Sequence, residues 1–201
     1  MTQGSDAIYL HQQFDKGHLV PGATYSNTPD SFRSTFVYTN AVPQRPGFNR
    51  GQWSQFERRI RVYASQQCTQ GPQPGTLYLL TGTAFGHIQN NPPGFNPVQV
   101  NQLGPAGNNP AIAIPNSMWT AGCCVRPNGN VESFAVIGNN LQNPVQMLTQ
   151  QISVARLQNI LAADVGNLNI GGPNVNLFPA GNGACSNVNN NLANLPPGRG
   201  R

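Results

Sequence analysis

The sequence predicts an α+β fold built as one main domain. Short runs of β-branched and aromatic residues alternate with Pro-, Gly- and Asn-rich stretches, which is how strands and their connections read. Two other segments return an apolar residue every three or four positions, which is how amphipathic helices read. At 201 residues the chain has enough material for one real core.

The elements follow in order. Residues 9–20 read as an extended strand that enters a turn at Pro21-Gly22. Residues 35–39, Thr-Phe-Val-Tyr-Thr, form a β-branched and aromatic run and are expected to be a strand. Residues 40–48 hold two prolines and a glycine and are expected to be a loop. Asn49 stands where a helix cap belongs, ahead of a helix expected over about residues 50–65 with Trp53, Phe56, Ile60 and Tyr63 as its buried stripe. Further strands are expected at 77–83, 111–114, 117–123 and 132–137, the second and third separated at Pro115. Residues 89–110, dense in Asn, Pro and Gly, read as a long surface loop. Ser153 is placed to cap a second helix running to about residue 163, with Val154, Leu157, Ile160 and Leu161 on one face. Residues from 180 onward are rich in Gly, Asn and Pro and read as a disordered tail, apart from any tether at Cys185. No internal repeat is visible.

Only 8% of residues are charged, against roughly a quarter in ordinary soluble proteins, so the placement of each charge is informative. The carboxylates are Asp6, Asp15, Asp30, Glu57, Glu132 and Asp164, and no local spacing pairs two of them for acid–base work on a glycoside. The single lysine is Lys16. A net charge of +5 and a pI near 9.4 suit a polyanionic partner. No apolar run approaches the roughly 20 residues needed to span a membrane, so no membrane partner is expected. Residues 1–14 show no basic region followed by an apolar run, and no signal peptide is expected from them. The four cysteines, Cys68, Cys123, Cys124 and Cys185, lack zinc-ligand spacing. Neighbours on a strand face opposite ways, so Cys123 and Cys124 take different partners, Cys68 and Cys185, in either of two pairings. Disulfides favour an oxidising compartment.

The chemistry concentrates between residues 15 and 61. There the chain reads Asp15-Lys16-Gly17-His18, then Asn40-x-x-Pro43-Gln44, then Asn49-x-Gly51-x-Trp53-x3-Glu57-x3-Arg61. A histidine activates water near neutral pH. An asparagine carbonyl is a hard oxygen ligand suited to Mg2+, which keeps most of its waters. Basic side chains beside them hold a phosphate and its developing charge. Taken singly, His18 reads as a structural histidine, Asn40 and Asn49 as turn or cap residues, and Glu57 with Arg61 as a surface pair one helical turn apart. Arg50, Arg58, Arg59 and Arg61 taken alone could be a solvated face. His11 and His87 have no comparable neighbours.

Together these motifs resemble the DNA/RNA non-specific endonuclease family, the ββα-metal nucleases whose signature is Asp-Arg-Gly-His, and within it the animal endonuclease-domain-containing group. The resemblance is close over residues 15–61 and looser at Thr81-Gly82, Ile114-Pro115-x3-Trp119, Cys123-Cys124 and Ser153-Val154. It implies a ββα-metal finger nuclease fold with a central antiparallel sheet and flanking helices over residues 1–179. It also implies a secreted, Mg2+-dependent enzyme, with Mn2+ as an alternative metal, that hydrolyses DNA and RNA through backbone phosphates and leaves a 5′ phosphate. By that resemblance His18 is the general base, Asn49 the direct Mg2+ ligand, and Glu57 the group that orients metal-bound water. Arg61 and Lys16 hold phosphate oxygens, Asn40 orients the histidine or the phosphate, and Asp15 braces the loop.

Two departures accompany the resemblance. Lys16 stands where the family has arginine, which keeps the charge and loses the planar fork. Family members also carry more chain ahead of the histidine motif, so the sequence reads as lacking part of the N-terminal half. A chain that binds nucleic acid, or serves immune recognition, on a decayed nuclease fold is the competing expectation.

Overall fold

The computed structural model describes residues 4–10, 12–90, 93–104, 111–143, 148–167, 175–179, 184–187 and 192. In chain order these form α1 (Asp6–Tyr9), β1 (Asp15–His18), α2 (Pro29–Arg33), β2 (Ala41–Gln44), a short α3 (Pro46–Phe48) and α4 (Ser54–Tyr63). There follow β3 (Thr76–Ala84), β4 (Gly86–Asn90), β5 (Pro93–Pro97), β6 (Asn101–Leu103), β7 (Ile112–Ile114), β8 (Ser117–Val125), β9 (Val131–Asn139), β10 (Thr149–Ile152), α5 (Val154–Asn167) and α6 (Ala184–Asn187).

The centre is a four-stranded antiparallel sheet in the order β10-β9-β8-β3. Its inner strand β9 carries Phe134-Ala135-Val136-Ile137, all fully buried, because both faces of the sheet are covered. Phe134 and Val136 turn toward α4 and pack with Trp53, Ile60, Tyr63, Phe48 and Met118. Ala135 and Ile137 turn the other way, against Val154, Leu157, Ile160 and Leu161 of α5. The two expected helical stripes are therefore the two layers that close the sheet, with Phe56 half-buried beside the first. Ser153 caps α5 by accepting from the Arg156 N–H at 3.1 Å.

The same alternation selects one of the two cysteine pairings. Cys124 faces the α4 side and bonds Cys68, just beyond that helix, while Cys123 faces the other way and bonds Cys185 in α6. The bridges close loops with sequence separations of 56 and 62, each contributing about 4 kcal/mol in the chain-entropy account. In the expected tail, α6 and the buried Leu192 are ordered against the body. The other residues from 180 onward lie outside the described set. Among the described residues no helix is long and apolar enough to cross a membrane.

Four local expectations are corrected. Residues 9–20 are not one strand: Tyr9 ends α1, which packs with Leu103 and Ile112, and only Asp15–His18 is paired. The partner of β1 is Ala41–Gln44, inside the expected loop, with His18 opposite Ala41 and Asp15 opposite Gln44. Pro43 is tolerated there because a two-stranded ribbon has an outer edge on each strand. The run 35–39 is not a strand: Thr35 is buried, Phe36 and Val37 are exposed, and Tyr38 opens a 3-10 turn that runs to Asn40. Likewise the stretch 89–110 is not all loop, since it contributes to two hairpins, β4–β5 and β6–β7, although residues 91, 92 and 105–110 lie outside the described set.

Asn140 fixes the ribbon to the sheet. Its side chain accepts from the Arg45 N–H at 2.7 Å and donates to the carbonyls of Pro43 and Pro115 at 2.9 and 2.8 Å. A buried amide with both ends satisfied holds one geometry, so the β1–β2–α4 unit sits in a set place on the core.

Candidate active site

Gly17 precedes the histidine for a steric reason. A Cβ there would stand 2.1 Å from Cδ of Gln44, whose fully buried side chain lies across β1. That close approach aligns β1 with β2 and delivers His18 at the strand end. Beyond His18 the chain is held by Asn40. Its side chain accepts from the Val20 N–H at 2.9 Å and donates to the carbonyls of Val20 and Thr35 at 3.0 and 2.9 Å. Asn40 thus braces the histidine loop through backbone, with its amide fully engaged there.

Asn49 is not a helix cap. Its backbone is already helical, and residues Asn49–Trp53 form a wide turn interrupted at Gly51 before α4 begins. Its amide Nδ2 donates to Oδ2 of Asp15 at 2.9 Å. A carboxylate only accepts, so the nitrogen must face Asp15 and the Asn49 oxygen is the end left for a ligand. Arg50 clamps the same carboxylate with Nε at 2.9 Å and Nη2 at 2.5 Å. The aspartate that opens the histidine motif therefore sets the asparagine on the far side of the hairpin.

His18, Asn49, Ser54, Glu57, Arg58 and Arg61 line one cleft of about 240 Å3, completed by Pro21, Gly22 and Ala23. Four of the expected site residues, His18, Asn49, Glu57 and Arg61, thus meet at one place. Burial pushes the His18 imidazole below its ordinary value, which favours the neutral base. Burial pushes the Glu57 carboxyl up to about 7, against the opposing pull of Arg61. Burial also lowers Arg61 from its usual value. Nε2 of His18 and Nη1 of Arg61 are buried and have no protein partner among the described residues. Buried polar atoms are rarely left so; here both belong to residues that line one cleft.

Lys16 does not line this cleft. It pairs with Asp6 and reaches the Tyr38 hydroxyl at 3.3 Å, at the edge of a second cleft on the other side of His18. Asp6 is ten residues away across a turn and nothing in the sequence marks it as the partner of Lys16. Arg58, which the sequence offers only as part of a basic helix face, lines the cleft as well. His87 lies in β4, away from the cleft, and His11 lies outside the described residues.

The donor set fits a hard divalent cation. Among the described residues no three His, Cys, Asp or Glu side chains gather as a metal cage. What the cleft offers is one oriented amide oxygen and one carboxylate, which suits a Mg2+ ion that keeps most of its waters.

A Glu57→Gln substitution should report the buried charge. A raised carboxyl contributes stability that is complete below the ordinary carboxylate value and is lost as pH rises from there to about 7. The glutamine does not titrate, so the melting temperature of the variant minus that of the native chain should be more positive at pH 8 than at pH 5. Equal differences at the two pH values, read by thermal melts, would remove the buried-carboxylate account.

The antiparallel ribbon, the helix after it and the cleft between them define a fold of the ββα-metal nuclease type. The chain belongs to the DNA/RNA non-specific endonuclease family, whose model matches residues 1–169. It is 35% identical over 60 residues to a "Nuclease" of Nostoc sp. (strain PCC 7120 / SAG 25.82 / UTEX 2576), a match covering 30% of this chain and 22% of that protein. It is 24% identical over 127 residues to the human "Endonuclease domain-containing 1 protein", covering 63% of this chain and 21% of that protein. The chain thus spans about a fifth of the length of these curated relatives. Among solved structures, EndoG in its complex with EndoGI is similar in fold, with a TM-score of 0.56 and 17% identity. That match covers 81% of this chain and 61% of the other.

Proposed function

We propose that the protein is a metal-dependent endonuclease that hydrolyses phosphodiester bonds of DNA and RNA with little sequence preference. The observation that carries this reading is the single cleft shared by His18, Asn49, Glu57 and Arg61. His18, kept neutral by burial, takes the proton from a water as its oxygen bonds to phosphorus. The bond from phosphorus to the 3′ oxygen breaks, leaving a 5′ phosphate and a 3′ hydroxyl whose proton comes from solvent water. The unpartnered Arg61 Nη1, with Arg58 beside it, holds phosphate oxygens as their charge grows. Asn49, set by Asp15, would hold Mg2+ through its side-chain oxygen, with Glu57 ordering the waters around the ion. Mg2+, when bound, would stabilise the negative charge of the transition state. Recognition falls on backbone phosphates, since the cleft offers cations and amides. The phosphate grip rests on Arg61 and Arg58, because Lys16 is neutralised by Asp6. The two disulfides suit an oxidising, extracellular setting.

Supercoiled plasmid and a mixed-sequence RNA should both be degraded in Mg2+ and survive when a chelator is added. Salt-sensitive binding with no hydrolysis in Mg2+ or Mn2+ would overturn this reading in favour of a non-catalytic nucleic-acid binder.

A further inference from the structure

We propose that Phe36 is a stacking platform for an unpaired nucleobase next to the scissile phosphate, so that the site takes single-stranded nucleic acid in preference to duplex. The inference rests on the nuclease reading and adds the strand form of its substrate.

Phe36 is an unusual loop residue. It is 60% exposed, yet its ring stands edge-on to His18 with centroids 4.7 Å apart. Behind it is Phe32, 40% exposed, with its ring 4.9 Å away in a second edge contact. Phe32 is itself set by Gly22, where a Cβ would stand 3.0 Å from the Phe32 ring. A large apolar side chain left in water, and held by two rings, has cost the fold stability that burial would have supplied. Its placement beside the histidine gives it a use.

The two clefts that share His18 differ in charge. In the Asn49 cleft stand Arg58 and Arg61, suited to phosphate. The other, about 430 Å3, is lined by Phe36, Val37, Ala41 and Thr35, with Lys16 held by Asp6 at its polar end. A lysine paired with a carboxylate does not draw a phosphate, whereas an apolar wall with an exposed ring suits the flat face of a base. A nucleotide whose phosphate sits by Arg61 would thus lay an adjacent base toward Phe36. A base inside a duplex is already stacked and cannot turn to that ring without unpairing, which costs a few kcal/mol. Aromatic stacking is tolerant of base identity, which agrees with a site that reads no sequence.

The test compares Phe36→Ala, Phe36→Leu and Phe36→Trp in the full chain. Binding is read by fluorescence anisotropy of an end-labelled single-stranded oligonucleotide and of a hairpin duplex, each in a His18→Ala background with Mg2+ so that neither is cut. Cleavage is read as kcat/KM on the same two substrates with His18 present. The ratio of single-strand to duplex affinity should fall about 5–150-fold in Phe36→Ala. The same fall is expected in Phe36→Leu, which keeps an apolar side chain at that place but no aromatic face. Phe36→Trp should restore the ratio. Equal losses on both substrates, or a ratio restored by leucine, would reduce Phe36 to a support for the histidine and overturn the proposal. If no variant cuts either substrate, the nuclease reading fails while the affinity ratio still decides the stacking.

Discussion

His18→Ala should lower the cleavage rate by about 10^2–10^4-fold, the range that a positioned general base supplies. The variant should still bind nucleic acid, because Arg58 and Arg61 lie on α4 and do not depend on the imidazole for their place. The native pH profile carries the second signature. On acidification the rate should first fall as Glu57 takes a proton near pH 7. It should then fall more steeply as His18, held below its ordinary value by burial, takes the next. In His18→Ala the steeper limb should be absent. Added imidazole should recover part of the rate, since the alanine leaves room in the cleft beside Phe36. Cleavage at the native rate by His18→Ala, with the same profile, would end the assignment of the base.

How far the site could be read from sequence follows from how its residues are connected. His18, Asn49, Glu57 and Arg61 were legible because strand end, turn and helix are close in sequence and each residue type has a chemical reason to be there. Asn40 and Lys16 were legible as site neighbours but not in their contacts. The first is consumed by the carbonyls of Val20 and Thr35, the second by Asp6, and such pairings depend on loop closure that no local pattern encodes. The role of Asp15 had a partial signal, a carboxylate heading the histidine strand, but its target lies 34 positions away across the ribbon.

The errors in the elements share one cause. Phe36 and Val37 have strand-forming side chains, and such propensity describes fit to a half-buried pleated surface. Here they lie 60% and 46% exposed on a loop. Of the two prolines and the glycine that argued against pairing at residues 40–48, only Pro43 lies in β2, where a ribbon of two accommodates it, and Pro46 and Gly47 fall in α3. By contrast β8, β9, α4 and α5 were readable because both sheet faces are covered and the alternation of side chains is enforced by burial.

Asn49→Ala should cost about as much activity as the histidine, by a different route. A lone Lewis acid contributes several kcal/mol to the transition state, and tenfold in rate is about 1.4 kcal/mol. Loss of its direct protein ligand should therefore lower the rate about 10^2–10^4-fold at moderate Mg2+, with partial recovery as Mg2+ is raised. The fold should barely respond: Asn49 is half-buried, and its amide makes a single hydrogen bond to Asp15. That bond is worth about 1 kcal/mol, and Arg50 continues to hold the carboxylate. Asp15→Ala separates placement from ligation. It keeps the asparagine but frees the amide to turn, so it should shift the Mg2+ dependence by about 10–100-fold and leave the rate at saturating Mg2+ closer to native. Initial rates of all three chains against Mg2+ concentration, with thermal melts alongside, decide the matter. An Asn49→Ala chain with native metal dependence would remove the amide from the ion. An Asp15→Ala chain indistinguishable from native would remove the carboxylate from the task of aiming it.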